Sequence, residues 1–222
     1  MRRLGRWHIW LGWLAGVPLL MWTVTGLVMV SRPIEEVRGE HLRVSPEAAT
    51  LPPAARLTLQ VPPRGDIETV MWQQQDGVPV ATVTYADGAV RRFDVGGQAL
   101  PLLNEAAARA LVARTVVGGE RVVSARFFAA DDVPLAFRRP ISVWQVVLAD
   151  GTHVYVGQQS GRVEAVRTRF WRLFDVMWGL HIMDLGERED THHPLLVLFA
   201  ALAAVSVLIG CVLLFRRRRT TS

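Results

Sequence analysis

Lysine is absent from this 222-residue sequence, and cysteine and asparagine each occur once. The single cysteine, Cys211, excludes an intramolecular disulfide and a cysteine-rich metal site. The sequence also lacks a P-loop, a nucleophile elbow and an H-E-x-x-H motif, which removes the catalytic classes that those motifs mark. Nothing arranges its acidic residues for catalysis, so the sequence leaves open whether the protein is an enzyme.

Acidic residues are absent from both ends of the chain, where arginines cluster. All 20 acidic residues lie between residues 31 and 193, and they outnumber the arginines of that stretch. The net charge of +5 therefore comes from two terminal clusters, namely Arg2, Arg3 and Arg6, and Arg216, Arg217, Arg218 and Arg219. A nucleic-acid-binding protein carries its basic surface on the folded domain, so we expect no nucleic acid partner.

Two long apolar runs, Trp7–Val30 and Pro194–Phe215, contain no acidic residue and no arginine. Each exceeds the roughly 20 residues that a helix needs to cross a hydrocarbon core of about 30 Å. A cleaved signal peptide is the alternative for the first run, but the run is longer than such a region and no A-x-A-like site follows it. We therefore predict two transmembrane helices with the lipid bilayer as a partner.

The terminal arginine clusters give these helices an orientation. The positive-inside rule places clusters next to membrane spans in the cytoplasm. The first cluster precedes the first span in the sequence, and the second cluster follows the second span. We therefore predict a multi-pass protein of the bacterial inner (cytoplasmic) membrane, with both termini cytoplasmic and the central stretch in the periplasm.

Small residues recur at a spacing of four in both apolar runs. Gly12 and Gly16 form a G-x-x-x-G pair in the first run, and the second run contains the pairs Ala200/Ala204 and Ser206/Gly210. Such spacing lets helix backbones approach closely in lipid. It predicts that the two spans pack on each other, or that Gly12 and Gly16 bind a second copy or another membrane protein. Small residues are also common in membrane helices without any such role.

The central stretch contains two similar segments, residues 80–100 and residues 144–166. Each has a β-rich run, an Ala-Asp-Gly turn and a second β-rich run. The turns at Asp87-Gly88 and Asp150-Gly151 are strong signals for two-residue hairpins. Their similarity predicts an internal duplication of one structural unit.

A helix and a strand precede the second hairpin. Asn104–Arg114 predicts a helix with Asn104 as its N-cap, and Arg121–Phe128 predicts a strand. In the first half, Ser45-Pro46-Glu47 predicts the start of a short helix and Ile67–Gln73 a strand. The predicted fold class is α+β, with helices and antiparallel strands in a periplasmic domain between two transmembrane α-helices.

Residues 103–166 resemble a PepSY domain, because NEAAARALVA, the ADG hairpin and the closing VYVGQQSGRVEAV follow that family's helix–strand–hairpin pattern. The family's final turn typically begins with an aspartate, and Gly157 stands in that place here. The chain ends resemble the membrane-attached branch of the family. The motifs of that resemblance are His8-x-Trp10-x-Gly12, Thr25-Gly26, and Leu180-His181 with Asp184.

Hydropathy and the resemblance together divide the chain into seven segments. They are a cytoplasmic tail (1–6), transmembrane helix 1 (7–30), a first PepSY-like half (31–102), a PepSY-like domain (103–166), an interfacial amphipathic segment with a polar loop (167–193), transmembrane helix 2 (194–215) and a second tail (216–222). Two tandem PepSY-like units are one interpretation of the two central segments.

The resemblance implies a binding function with iron uptake as one setting for it, because larger members of the family are linked to iron uptake. We expect an inner-membrane protein that presents a periplasmic PepSY-like module and binds a partner or ligand. Some members resemble haem-bearing reductases of ferric siderophores, which implies a haem- or metal-carrying redox component as an alternative. Peptidase regulation, the other association of the family name, is a further alternative.

Six histidines are the candidate ligands, and we expect His41 and His153 to be surface residues. His8 lies near the cytoplasmic end of the first span, and the second span contains no histidine to face it. A haem b bound by His8 would therefore need a ligand from another subunit, since two imidazoles must converge on the iron. The alternative is an interfacial histidine without a ligand.

The segment HIMDLGEREDTHH (181–193) places three histidines and four acids just before the second span. Imidazole and carboxylate groups both bind first-row metals. The candidate metal ligands are His181, Asp184, His192 and His193, and the candidate haem ligands are His8, His181, His192 and His193. A solvated polar loop is the alternative for this segment.

Overall fold

A computed structural model describes residues 2–44, 65–75 and 78–219. The chain forms two compact units, a membrane unit of residues 1–37 and 170–222 and a central domain of residues 38–169. The short helix predicted at Ser45-Pro46-Glu47 lies outside the described residues. In chain order the elements are α1 (Arg2–Val30), α2 (Ile34–Val37), β1 (Ile67–Gln75), β2 (Val78–Tyr85), β3 (Val90–Phe93), α3 (Glu105–Thr115), β4 (Val122–Phe128), β5 (Val143–Leu148), β6 (His153–Gly157), β7 (Val163–Arg167), α4 (Arg169–His181) and α5 (Pro194–Arg219).

The two long helices of the membrane unit, α1 and α5, contain the predicted spans. Their segments Gly5–Val30 and Pro194–Arg216 are long and apolar enough to cross a membrane. Only 11% of the most apolar part of either helix is buried within the chain, so neither is the core helix of a soluble domain. Both are the transmembrane helices expected from the sequence.

The helices α1 and α5 pack against each other through small residues. Ala15 of α1 and Ala203 and Ser206 of α5 are buried, while Gly210 of α5 lies against His8. Small side chains let the two backbones approach closely where a hydrophobic driving force between helices is lacking. The predicted packing of the two spans on each other is therefore confirmed.

The first sheet of the central domain is an antiparallel meander in the order β1-β2-β3. The predicted hairpin at Asp87-Gly88 joins β2 and β3. Gly88 adopts a positive φ of 80°, and the Asp87 carboxylate accepts a hydrogen bond of 2.9 Å from the backbone N–H of Ala89. The buried face of this sheet carries Ala81, Val83, Tyr85 and Phe93.

The second sheet is antiparallel in the order β4-β5-β6-β7, and α3 packs across one of its faces. The Asn104 side chain accepts a hydrogen bond of 2.9 Å from the backbone N–H of Ala107, which confirms Asn104 as the N-cap of α3. The core beneath the helix consists of valines and other apolar residues, namely Leu103, Ala108, Val112, Val116, Val146, Leu148, Val154, Val156 and Val166.

The opposite face of the second sheet has a smaller core. Phe137, Val143, Tyr155 and Ala165 are buried there, and the rings of Phe137 and Tyr155 stack with centroids 4.9 Å apart. The predicted hairpin at Asp150-Gly151 joins β5 and β6. The second half is therefore the helix–strand–hairpin unit expected from the sequence, and the fold is α+β between two transmembrane helices.

Candidate functional site

His181, the last residue of α4, lies against α1. Its Nδ1 is 2.9 Å from Oγ1 of Thr25, and its backbone carbonyl accepts a hydrogen bond of 2.8 Å from Nε1 of Trp22. A Cβ on Gly26 would lie 3.8 Å from Cε1 of His181. The structure therefore brings together two motifs that are far apart in the sequence, Thr25-Gly26 and Leu180-His181.

The hydroxyl of Thr25 determines which nitrogen of neutral His181 carries the proton. That hydroxyl has one hydrogen, and its oxygen lies 2.8 Å from the carbonyl oxygen of Met21, to which it donates. With that hydrogen on the Met21 carbonyl, the hydroxyl oxygen is available to accept a hydrogen bond from His181, which corresponds to the tautomer protonated on Nδ1. The lone pair of the ring is left on Nε2, which is the arrangement that a metal-binding histidine adopts when its other nitrogen donates to the protein.

The Asp184 carboxylate organises the loop that follows α4. Its Oδ1 accepts from the backbone N–H groups of Gly186 (3.1 Å) and Glu187 (3.2 Å), and its Oδ2 accepts from those of Glu189 (3.0 Å) and Asp190 (3.2 Å). These hydrogen bonds, led by those from Asp190 and Glu189, hold the pKa of Asp184 below its usual range. Asp184, which the sequence predicts as a metal ligand, thus also accepts the hydrogen bonds that shape the loop.

A buried ion pair attaches the same loop to α4. Arg188 donates to the Asp175 carboxylate at 2.5 Å, and the two side chains are 20% and 5% exposed. The backbone carbonyl of Arg188 accepts a hydrogen bond of 3.0 Å from Nε1 of Trp178. A Cβ on Gly179 would lie 2.8 Å from the Arg188 side chain, so this close approach requires glycine. These contacts fix the segment on either side of His181.

His192 and His193 lie just before α5. His192 is exposed, and its backbone N–H donates to the Asp190 carboxylate at 2.8 Å. The Nδ1 of His193 is buried and has no hydrogen-bond partner among the described residues. No three histidine, cysteine, aspartate or glutamate side chains of the described chain come together as a metal site. Metal binding by His181, Asp184, His192 and His193 therefore stays a prediction.

His8 lies on the part of α1 that faces Gly210 of α5. A Cβ on Gly210 would be 3.0 Å from Cε1 of His8, so glycine leaves room for the imidazole. The Nδ1 of His8 is buried and lacks a hydrogen-bond partner in the described chain. His8, Gly210, Leu213 and Leu214 line a cavity of about 300 Å³. By the helical rise of 1.5 Å per residue, His8 and Thr25 are about 25 Å apart along α1.

Two of the four histidines of the membrane unit, His8 and His181, are suited to a haem only in part. His8 has an unpartnered nitrogen beside an apolar cavity, and His181 has its Nε2 lone pair available. Each could supply one imidazole to a haem iron, and their separation along α1 is too large for both to bind the same iron. The residues therefore fit a haem that takes its second ligand from another subunit, as the sequence indicated for His8.

The central domain contains a groove that the sequence did not indicate, and we call it the arginine groove. Its volume is about 510 Å³, and it is lined by Arg38, Glu40, Arg43, Glu164, Ala165 and Arg167. Ser160 and Arg139 both donate to the Glu164 carboxylate, at 2.5 Å and 2.8 Å. The lining residues come from two segments that are more than 100 positions apart, and no local motif marks them.

Gly157, which stands where the PepSY pattern has an aspartate, faces this same carboxylate. A Cβ at Gly157 would lie within 2.2 Å of Oγ of Ser160 and 3.0 Å from Oε1 of Glu164. No side chain at position 157 fits while Ser160 and Glu164 keep these positions. An acidic group is therefore present near the turn, but it comes from β7 and not from the end of β6.

The family described as PepSY-associated TM region matches residues 5–222, which is almost the whole chain. No curated protein and no solved structure shows significant similarity to the chain.

Proposed function

Because the chain belongs to the PepSY-associated transmembrane family, we propose that it holds a ligand-binding PepSY module at the periplasmic face of the bacterial inner membrane, where it serves iron uptake. The arginines at both chain ends support the orientation, since such clusters stay in the cytoplasm. The two transmembrane helices then tether the central domain to the lipid bilayer.

The observation that carries this proposal is the arginine groove. Its volume of about 510 Å³ lies in the range of small-molecule sites, and several charged side chains converge on it. Charged side chains whose only role is solubility have no reason to gather around one groove, so their arrangement here favours ligand binding. The groove is therefore where we expect the module to bind its ligand or a protruding part of a protein partner.

Growth of a deletion strain under iron limitation tests this function. The wild-type chain should restore growth, and the double variant Arg43→Gln/Arg167→Gln should not, because it removes two of the groove cations. Arg109→Gln is a matched control, since Arg109 lies on α3 in an exposed pair with Glu105. Full rescue by the double variant, at equal membrane abundance, would contradict a role for the groove in iron uptake.

A second candidate function is that of a haem- or metal-carrying redox component, as in ferric-siderophore reductases. The observation that favours it is the hydrogen bond between His181 and Thr25, which leaves Nε2 of His181 available as a ligand. A haem held by either His181 or His8, with its second ligand from another subunit, would supply one-electron chemistry on that side of the bilayer. The residues of this chain would hold it, orient the imidazoles and exclude water.

Absorption spectra of the detergent-purified full-length protein test this candidate. Cells supplied with haem precursor should yield protein with a Soret band and visible bands that sharpen on reduction with dithionite. His8→Ala and His181→Ala should each remove part of the absorbance, and His192→Ala and His193→Ala show whether the loop histidines contribute. His153→Ala, in the central domain, is the control. A wild-type protein that stays colourless after haem addition would exclude haem and leave the binding function.

A further inference from the structure

We propose that the arginine groove binds a small soluble polyanion that carries carboxylate or phosphate groups. This inference rests on the proposed function of the central domain as a ligand-binding module, and it names the chemistry of the ligand. Arginine is the side chain best suited to these groups, because its planar guanidinium matches carboxylate and phosphate oxygens in a bidentate geometry.

The charges of the groove favour an anion. Three arginines line it, against two glutamates. One of these, Glu164, is engaged by Arg139 at 2.8 Å and by the Ser160 hydroxyl at 2.5 Å. Arg139 thereby compensates the charge of Glu164 without itself lining the groove. The potential inside the groove is therefore positive, and Glu40 is the acidic group that reduces it.

Two of the lining arginines are held by backbone carbonyls. Arg43 donates through Nη1 to the carbonyl of Val163 at 3.1 Å, and Arg167 donates through Nε to the carbonyl of Ala136 at 2.9 Å. Such contacts restrict the rotamers of long side chains before a ligand arrives. Less conformational entropy is then lost on binding, which raises the affinity of a preformed site.

The backbone that carries Arg38 and Arg43 is also fixed. Gly39 has a positive φ of 72°, and a Cβ there would lie 2.9 Å from the Val166 side chain, so this turn packs closely on β7. Further along, Val44 donates to the carbonyl of Thr115 at 2.9 Å. The segment is thus held between β7 and the end of α3, and it forms a rigid wall of the groove.

The lining residues also limit the kind of anion. No aromatic side chain lines the groove among the residues that the structure describes, so a nucleobase or another aromatic ring would have nothing to stack on. Ala165 is the one apolar residue among the described residues that line the groove. A compact aliphatic polycarboxylate or an inorganic phosphate compound therefore suits the groove better than an aromatic or lipid-like ligand.

Isothermal titration calorimetry of the full-length protein in an uncharged detergent tests the inference, with tricarballylate and diphosphate as probes. At least one probe should bind with a one-to-one stoichiometry, and the affinity should fall as salt is added. Arg38→Gln, Arg43→Gln and Arg167→Gln should each weaken binding by about tenfold, as expected for the loss of a charge-assisted hydrogen bond. Arg109→Gln should leave the affinity unchanged.

Arg139→Gln provides a second, independent measurement. Arg139 does not line the groove, so its loss removes no ligand contact. It leaves the negative charge of Glu164 without its cationic partner. The affinity for both probes should fall, and the double variant Arg139→Gln/Glu164→Gln should recover most of it. Thermal unfolding of each variant establishes that the fold is retained.

Three results would overturn the inference: no heat with either probe in the folded wild type, equal affinity in the groove variants, or binding only to nanodiscs of anionic lipid. Loss of iron-dependent growth in Arg43→Gln/Arg167→Gln without any anion binding would overturn the ligand class but keep the proposed function. Anion binding that depends on these arginines, together with normal growth of the variant, would overturn the proposed function but keep the ligand class.

Discussion

Arg92 shows how much a single side chain contributes to the central domain. It is 9% exposed, and burial lowers the pKa of its guanidinium. Its Nη2 donates to the carbonyl of Pro101 at 2.7 Å, its Nε to that of Gln159 at 3.2 Å, and its Nη1 to the Gln75 side chain at 3.3 Å. Arg92 therefore joins the first sheet to a turn of the second sheet, and none of these three acceptors is a carboxylate.

We expect Arg92→Ala to lower the free energy of unfolding by about 2–4 kcal/mol, because it removes a buried side chain together with its three hydrogen bonds. Arg92→Lys should recover little, since one ammonium group cannot reach three acceptors in the directions that a guanidinium spans. Arg91→Ala, at the exposed neighbouring position, should change stability by less than about 0.5 kcal/mol. Chemical denaturation followed by circular dichroism measures these differences. Equal stabilities of the two alanine variants would show that the Arg92 contacts contribute nothing net.

The lowered pKa of Asp184 predicts how the stability of the loop after α4 depends on pH. The backbone hydrogen bonds lower the pKa of its carboxyl in the folded state. Such a group stabilises the fold fully above its unfolded pKa of about 3.9, and the contribution is lost as the pH falls through the lower folded value. Hydrogen-exchange protection of the Gly186 and Glu189 amides should therefore be constant from about pH 7 to pH 5 and decrease only below about pH 4.

The variant Asp184→Ala should remove this protection at neutral pH, because all four amide donors lose their acceptor. Amides in the middle of α3, in the central domain, are the internal control and should keep their protection. Protection that already falls between about pH 7 and pH 5 in the wild type would mean that another group controls the loop.

Single residues are also where the sequence predicts least. Arg43 and Arg167 are two among 25 arginines, and only the pairing of the chain segments places them around one groove. His181 was predicted as a ligand from its residue type and its family motif. Its contact with Thr25 connects residues more than 150 positions apart, and no local pattern contains that information.

At the scale of whole elements, the sequence predicts much more. Hydropathy, the Asp-Gly turns and the N-cap at Asn104 act within a few residues, so they predicted both spans, both hairpins and α3. The choice of helix faces depends on tertiary packing. Of the predicted small-residue pairs, Ser206 is buried and Gly210 faces α1, but Ala200 and Ala204 are exposed.

Gly12 and Gly16 remain on an open side of α1. A Cβ at either position would meet no atom within 4 Å in the described chain. Gly12→Leu and Gly16→Leu should therefore leave the contact of α1 with α5 intact. If these glycines bind a second copy, as the sequence predicts, either change should abolish the dimer, because a bulky side chain prevents close approach of two backbones.

Single-molecule photobleaching of the labelled protein in liposomes measures the oligomeric state. The wild type should bleach in two steps and both variants in one, while Leu20→Ala, at an exposed position of the same helix, should still bleach in two. One-step bleaching of the wild type would exclude the homodimer and, with it, a haem shared between two copies of His8.

At the scale of the whole molecule, the transmembrane orientation decides where each candidate site acts. With both termini in the cytoplasm, the central domain lies in the periplasm and His8 at the cytoplasmic end of α1. In the opposite orientation, the arginine groove would face the cytoplasm and could not bind a periplasmic ligand. The predicted function in iron uptake therefore depends on the positive-inside rule applied to the two arginine clusters.

Cysteine labelling in intact cells tests this orientation. Because Cys211 is the only cysteine, Cys211→Ala provides a cysteine-free background. In that background, Ala86→Cys, at an exposed hairpin turn of the central domain, should react with a maleimide that crosses the outer but not the inner membrane. Arg3→Cys, at an exposed position near the amino terminus, should react only after the cells are lysed. The reverse pattern would place the groove in the cytoplasm and contradict the proposed function, while reaction of both cysteines in intact cells would contradict a helix crossing between them.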